Sequence, residues 1–503
     1  LNEILKTLPS PVALSEDLLT MLEEGDPYEQ AAEIREATDL PNPPVCKGND
    51  WLHQRRAYWW AKDLPAILLD MWMGSGKTRT AINIIQNWYP EGNAKVLVAC
   101  PPNVVPVWEE QIATHSAIPC EVTLLPAGKS TAKRTEIAEQ AVKQVRPGVI
   151  TCLVCNYEGV WRGKLGEWVL SQQWDAVVAD ESHHLKSPGS KQSLFFAKLH
   201  KKAKRRLGLT GTPLHDGPLD IYGQARFLVP EVFGTSFANF RSRYARMGGY
   251  GGYQVLGYQN LEEFYEKYRS FTYTVGPDEA LPDLPPILFE RRTCSLNRDE
   301  MRVYSSLEHD LMAQVKDGTV SVNNALTKLI KLQQVTSGYV RDDDGTDHFV
   351  GDSKKKLLAD VLSDLPKDEP VVVFCRFTHD LQAVHEVAKA DGRQSFELSG
   401  ARKELQEWTR SEGGAVIAVQ LRSGGEGIPM YKSRYVVDYS LSFSLGEYNQ
   451  TRSRLQRPEQ TRQVISIALV AEGTVDEQIY RSLKRKENVV KSIMEDYKGG
   501  ITK

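Results

Sequence analysis

The sharpest chemical pattern in the chain is Met71-Trp-Met-Gly-Ser-Gly-Lys-Thr78, set between the apolar run AILLD and the helical run TRTAINIIQNW. A strand, a glycine-containing loop and a helix form the arrangement in which main-chain amides surround a phosphate. Gly74 and Gly76, flanking Ser75, let amides turn inward. Lys77 supplies a point charge on the phosphates, and the Thr78 hydroxyl is placed to ligate Mg2+. Met71 stands where the full pattern has its first glycine, so an unrelated glycine-rich turn is the alternative. A second segment, AVVADESHH (176–184), argues against that alternative. Most acid pairs are solvated surface, but this one follows four apolar residues at the end of an expected strand, where parallel sheets bind ligands. Asp180 suits a hydrated Mg2+, and Glu181 suits the orientation or deprotonation of a water. His183 reads as part of the same motif, and His184 has no evident role. Cys152-Leu-Val-Cys155 has zinc or redox spacing, but without a second pair at ligand spacing structural burial is expected.

These groups need rigid elements to hold them. From about residue 46, short β-rich runs alternate with helical stretches: AILLD (66–70), KVLVAC (95–100), VITCLVC (149–155), AVVAD (176–180) and RRLGLTG (205–211). Continuous apolar strands between amphipathic helices imply a parallel sheet covered on both faces. From about 236 to 350 the rhythm breaks into aromatic helices, a Gly/Tyr-rich stretch (248–258) and a Pro-rich crossing (281–286). Alternation resumes with VVVFCR (371–376), SFELSG (395–400), AVIAVQ (415–420), RYVVDYS (434–440) and VISIALV (464–470). The expected division is an acidic helical extension (1–45), a first α/β lobe (46–235), a helical insertion (236–350), a second α/β lobe (351–470) and a basic C-terminal helix (471–503).

Composition narrows the class. Of 503 residues, 41% are hydrophobic and 25% charged, as in soluble globular proteins. No apolar run reaches the ~18 residues of a membrane span, and no leader pattern opens the chain. Seven scattered cysteines fit a reducing compartment, so a cytoplasmic location, in a bacterial cell or a phage-infected host, is expected. The net charge of −3 is uneven. Residues 1–40 hold ten acids against Lys6 and Arg35, or −8, leaving +5 on the rest. A mildly basic body accommodates a polyanion but does not demand one.

With the two motifs placed, the order of the remaining segments resembles a superfamily-two helicase of the SWI/SNF type over roughly residues 50–490. Leu52-His-Gln54 is similar to the family's adenine-reading motif. CPPNVVPVWEEQI (100–112) resembles the loop and helix that touch the DNA backbone, with Trp108 as its tryptophan. LGLTGTP (207–213) matches the coupling motif through Thr210 and Thr212. PLDIYGQARFLVPEVFG (218–234) is similar to the SWI/SNF branch. LRSGGEGI (421–428) and the run from Gln450 to Gln460 follow in family order. The resemblance implies two tandem RecA-like lobes binding ATP and Mg2+. It places Gln54, Gly425 and Gly427 at the nucleotide, Gln450 in coupling, and Arg454 and Arg457 across the cleft from the phosphate loop. An arginine delivered by a second lobe neutralises γ-phosphate charge only when the lobes close. It further implies DNA contacts at Asn103, Arg376, Arg422, Ser423 and Gly424. Departures include Gln420, Leu421 and Glu426 in the second-lobe glycine motif, Ser453 and Glu459 in place of glycines, and Phe443-Ser-Leu445 for a Trp-Asn-Pro run.

The resemblance therefore implies an ATP-driven motor, monomeric, on double-stranded or branched DNA, remodelling forks or recombination junctions beside replication or recombination proteins. A motor subunit of a restriction or defence complex and an ATP-switched DNA clamp are the alternatives. Three basic clusters, His200–Arg206, Lys354–Lys356 and Lys484–Lys486, are candidate DNA contacts or equally solvated helix faces.

Overall fold

The computed structural model describes residues 33–484 except 127, 144–145, 215–216, 249–253, 281–285, 317–321, 343, 422–429, 443–444, 456, 458–459 and 482. The expected leader helix around Leu14–Leu22, the end of the basic C-terminal helix and most of the second-lobe glycine motif lie outside the described residues.

Six strands of the first lobe follow in order: β1 (Ala66–Met71), β2 (Ala94–Cys100), β3 (Cys120–Leu124), β4 (Ile150–Asn156), β5 (Trp174–Asp180) and β6 (Ala203–Thr210). An antiparallel hairpin, β7 (Ala245–Gly248) and β8 (Gln254–Tyr258), and a helix, Leu261–Arg269, lead to β9 (Thr272–Val275). The lobe is a seven-stranded sheet in the order β3-β4-β2-β5-β6-β1-β9, parallel throughout. Consecutive residues of β1 serve opposite cores: Ala66 and Leu68 pack into one cluster, Ile67, Leu69 and Met71 into the other. Burial on both faces is why these strands read as continuous apolar runs.

The second lobe starts with β10 (Leu288–Cys294) and adds the hairpin β11 (Tyr339–Arg341) and β12 (Asp347–Phe349), then β13 (Val371–Cys375), β14 (Ser395–Leu398), β15 (Val416–Gln420), β16 (Tyr435–Asp438) and β17 (Ile465–Ala471). Its six-stranded sheet runs β10-β17-β16-β13-β15-β14, again parallel throughout.

The stretch 236–350 is not the separate helical insertion the sequence implied. Its β9 hydrogen-bonds to β1 and completes the first sheet, while β10 pairs along the whole of β17 and completes the second. The Gly/Tyr-rich stretch supplies the β7–β8 hairpin, whose tip lies outside the described residues. Phe240, Tyr244, Phe264 and Phe271 of the 236–350 stretch close with Phe233 into one cluster belonging to the first lobe's core. Arg35 docks the chain ahead of the first lobe on this sheet, donating to Thr272 O at 3.0 Å and lying over Trp60 and Tyr273. Among the described residues no helix is long and apolar enough to cross a membrane.

Candidate active site between the lobes

Parallel strands deliver their chemistry to one sheet edge. In register, Asp70 pairs with Thr210 and Asp180 with Leu209, so the ends of β1, β6 and β5 lie side by side. At about 4.8 Å per strand, the phosphate loop after β1 and the carboxylates after β5 stand roughly 10 Å apart.

The loop's shape depends on its glycines. Gly74 and Gly76 have φ of 82° and 81°, the left-handed region in which a Cβ is disfavoured. Gly76 caps the helix Lys77–Trp88, so the positive end of that helix faces the loop. A Cβ on Gly76 would also collide with the Gln54 amide. Gln54 itself is buried; its Nε2 donates to Ser75 O at 2.9 Å, its Oε1 accepts the Trp51 amide at 3.0 Å, and a His53 ring nitrogen lies 2.8 Å from the same Ser75 carbonyl. The structure thus places Gln54 as a strut beneath the loop, with one hydrogen bond at each end of its amide. Lys77 Nζ donates to Met71 O at 3.1 Å. Under the loop, Asp70 is buried against the Tyr268 and Thr274 hydroxyls at 2.9 and 3.3 Å, and burial pushes its carboxyl up to about 6.

Asp180 is buried and held at both oxygens: Trp108 Nε1 donates to Oδ2 at 2.8 Å and the Glu181 amide to Oδ1 at 3.0 Å. Glu181 has φ of 53°, a strained setting for a residue with a Cβ and one found at functional sites. Burial alone would raise its carboxyl. The His183 ring, 3.4 Å away, and the Lys77 ammonium more than reverse that and hold it down to about 2, ionised at neutral pH. His183 Nδ1 lies 3.1 Å from Thr210 Oγ1, which also accepts the Thr212 amide at 3.1 Å. Carboxylate, histidine and the 210–212 turn are therefore one connected unit. His184 is explained by stacking, on Tyr157 at 5.2 Å and on His183 at 5.0 Å. Gln224, within the 218–234 segment, accepts from Ser182 Oγ at 2.8 Å and donates to Pro213 O at 2.9 Å, tying the carboxylate turn to the threonine turn, a role no local pattern signals.

The second lobe reaches this site through the helix Leu445–Ser453. Ser453 Oγ donates to Met73 Sδ in the phosphate loop at 2.8 Å, a direct contact across the cleft. Arg452 is buried in an ion pair with Asp438, bonds Ser466 Oγ at 2.9 Å and lies over the Tyr448 ring. Arg454 is buried with its guanidinium over Phe374, and Arg457 is half-buried in the turn that follows. The segment that carries Gln450, Arg454 and Arg457 thus abuts the phosphate loop, with Arg454 folded against its own sheet.

These residues fit a magnesium nucleotide. Gly74 and Gly76 bend the loop through the left-handed region so that its amides can turn inward, Ser75 Oγ is fully buried with no hydrogen-bond partner among the described residues, and the Lys77 ammonium helps to hold the Glu181 carboxyl down. Residues 47–338, more than half of the 503, match the SNF2-related domain. The chain belongs to this family. It thereby falls among the SNF2-like proteins of superfamily two. Among curated relatives, the uncharacterised ATP-dependent helicase MG018 of Mycoplasma genitalium is 22% identical over 84% of this chain and 40% of its own length. The DNA annealing helicase and endonuclease ZRANB3 of Bos taurus is 23% identical over 84% of this chain and 38% of its own. A putative phage protein, p41 from Acyrthosiphon pisum secondary endosymbiont phage 1, is 25% identical over 85% of this chain and 94% of its own. The chain thus spans about two fifths of the first two relatives. Among solved structures, the Sulfolobus solfataricus SWI2/SNF2 ATPase core in complex with dsDNA aligns over 91% of this chain and 95% of its own, at 20% identity and a TM-score of 0.42.

Within this SNF2-related chain the expected DNA contacts divide. Asn103 is exposed in the turn after β2, at the same sheet edge as the carboxylates. Arg376 follows β13, where its amide donates to Ser440 Oγ at 2.8 Å and its side chain lines a cavity of about 170 Å³ with Tyr339, His379 and Gln420. Arg422, Ser423, Gly424, Gly425 and Gly427 lie outside the described residues. Among the described residues, the basic clusters are largely spent within the protein. Lys354 is buried in an ion pair with Asp476, Lys355 pairs with Glu386, and Lys356 with Asp352 at 2.8 Å. Arg205 and Arg206 donate to main-chain carbonyls, and Lys484 lies over Phe289. Cys152 and Cys155 are buried in β4 with their thiols pushed up by burial, and no metal-binding group of three or more His, Cys, Asp or Glu occurs among the described residues.

Proposed function

We propose that this protein is a DNA-stimulated ATPase that translocates on double-stranded DNA and remodels forks or branched junctions. The observation that carries the motor reading is the Ser453–Met73 contact, which joins the arginine-bearing segment of one lobe to the phosphate loop of the other. Lys77 and the loop amides bind the β- and γ-phosphates, and Thr78 and Asp180 hold Mg2+, which when bound neutralises phosphate charge. Glu181, ionised and aimed by His183, orients the attacking water and accepts its proton. Arg454 and Arg457 meet the γ-phosphate when the lobes close, a movement in which Arg454 leaves Phe374. The His183–Thr210–Thr212 connection carries the state of the carboxylate to the rest of the lobe edge. Asn103, Arg376 and Arg422–Gly424 grip the DNA backbone, which positions a protein without reading sequence. Similarity to an annealing helicase supports the branched-DNA reading.

The decisive measurement is phosphate release with duplex DNA, single-stranded DNA and RNA in parallel. Duplex DNA is expected to stimulate most, and Lys77→Ala to remove at least ~100-fold of that rate. Equal stimulation by RNA, or full activity in Lys77→Ala, refutes the reading. Reversal of a model fork without unwinding of a simple tailed duplex separates remodelling from conventional strand separation.

A further inference from the structure

Trp108 is 1% exposed, and its indole has one donor and no acceptor, so its single hydrogen bond is informative. That bond goes to Asp180 Oδ2 at 2.8 Å. The helix that bears it, Val105–His115, begins immediately after the exposed turn holding Asn103. Trp108 therefore sits two helical turns or less from that turn and touches the carboxylate at the end of β5, the strand adjacent to β2. With the Glu181 amide on Oδ1, the indole fixes the plane of the Asp180 carboxylate.

We propose that Trp108 is a positioning residue that orients Asp180 for Mg2+ and makes the cation site responsive to whatever engages the 101–104 turn. A carboxylate that ligates a cation is ordinarily aimed by a hydrogen-bond partner behind it, and loss of such a partner typically weakens metal binding 10–100-fold. Here the partner lies on the helix that follows the turn, so a backbone shift at Asn103 is passed to Asp180 through one rigid turn and one hydrogen bond. Coupling of this kind is reciprocal: DNA on the turn tightens the cation, and the cation tightens DNA by the same factor. The inference rests on Asp180 holding the cation, as in the proposed function.

The test uses Mn2+ as the probe, with free Mn2+ counted by electron paramagnetic resonance in the presence of ADP, with and without duplex DNA. Trp108→Phe removes the donor; replacement of Trp108 by 3-benzothienylalanine removes it while keeping ring size, and decides the matter if the phenylalanine variant does not fold. Either variant is expected to weaken Mn2+ roughly tenfold and to abolish the DNA-induced gain in Mn2+ affinity. Metal-free ADP affinity is expected to stay unchanged. Parental Mn2+ affinity and an intact DNA effect in a folded variant overturn the proposal. Asp180→Asn tests the foundation separately: if it loses Mn2+ while the Trp108 variants do not, only the role of Trp108 falls, and if it binds Mn2+ as the parent does, the reading of Asp180 falls too.

Discussion

Replacing Gly76 by alanine strikes the phosphate loop in two separable ways. The residue has φ of 81°, and an alanine there costs about 1–2 kcal/mol. Its Cβ would also drive into the Gln54 amide, with Gln54 Cδ 3.4 Å away, so Gln54 must swing aside and release Ser75 O. That loss adds about 1 kcal/mol, a modest figure because His53 still reaches the same carbonyl. The sum is about 2–3 kcal/mol. It appears as lost stability if the loop keeps its shape, or as weaker ADP binding if the loop relaxes, so urea melts and calorimetric ADP titrations must be added together. Gln54→Ala alone also forfeits the strut. In the double variant the collision is gone and the forfeited bond is counted once, so its total should fall about 1 kcal/mol below the sum of the singles. Strict additivity would show that Gln54 and Gly76 do not meet. A Gly76→Ala protein with parental stability and parental ADP affinity would refute the loop geometry altogether.

Asp70→Asn keeps an acceptor for Tyr268 and Thr274 while removing a carboxyl whose folded value, about 6, lies above its ordinary 3.8. Between those values the folded protein holds a proton that the unfolded chain has released, so the parent loses stability as pH rises. The variant's advantage in thermal melts should grow from about pH 4 to pH 6 and level off above, approaching ~3 kcal/mol; a flat difference across that range would refute the burial of this carboxyl. Lys354→Ala strands Asp476 in the interior beside Thr336 and should cost about 3–5 kcal/mol in a denaturant melt, with little change in DNA affinity. A selective loss of DNA binding would instead restore the basic-cluster reading.

The parts of the site legible in the sequence were those whose chemistry is local. Glycine, lysine and threonine in succession, and two acids ending an apolar run, declare themselves because adjacent residues do the work. What failed was contact between distant segments. Gln54 reads as a base contact, and nothing in the sequence tells that its amide also bonds Ser75 and Trp51 once the loop folds over it. His184 makes sense only against Tyr157, which comes from another strand end. Lys354 belongs to a run of three lysines, yet the fold buries that one alone. Among the strands, apolar runs buried on both faces were readable, whereas β9 has four residues and β10 (LFERRTC) is a charged, half-exposed edge without period. Edge strands of parallel sheets need no apolar pattern, and so leave no signal.

Because the stretch between the lobes donates a strand to each, the chain has one natural place to be divided. A split after residue 235 would strip β9 and leave β1, with its AILLD core, as a naked border inviting association with other chains; a split before residue 351 would do the same to β17. Severing the polypeptide between Val275 and Leu288 instead hands both halves a complete sheet, and is the place to begin for anyone wishing to reassemble the two halves in trans.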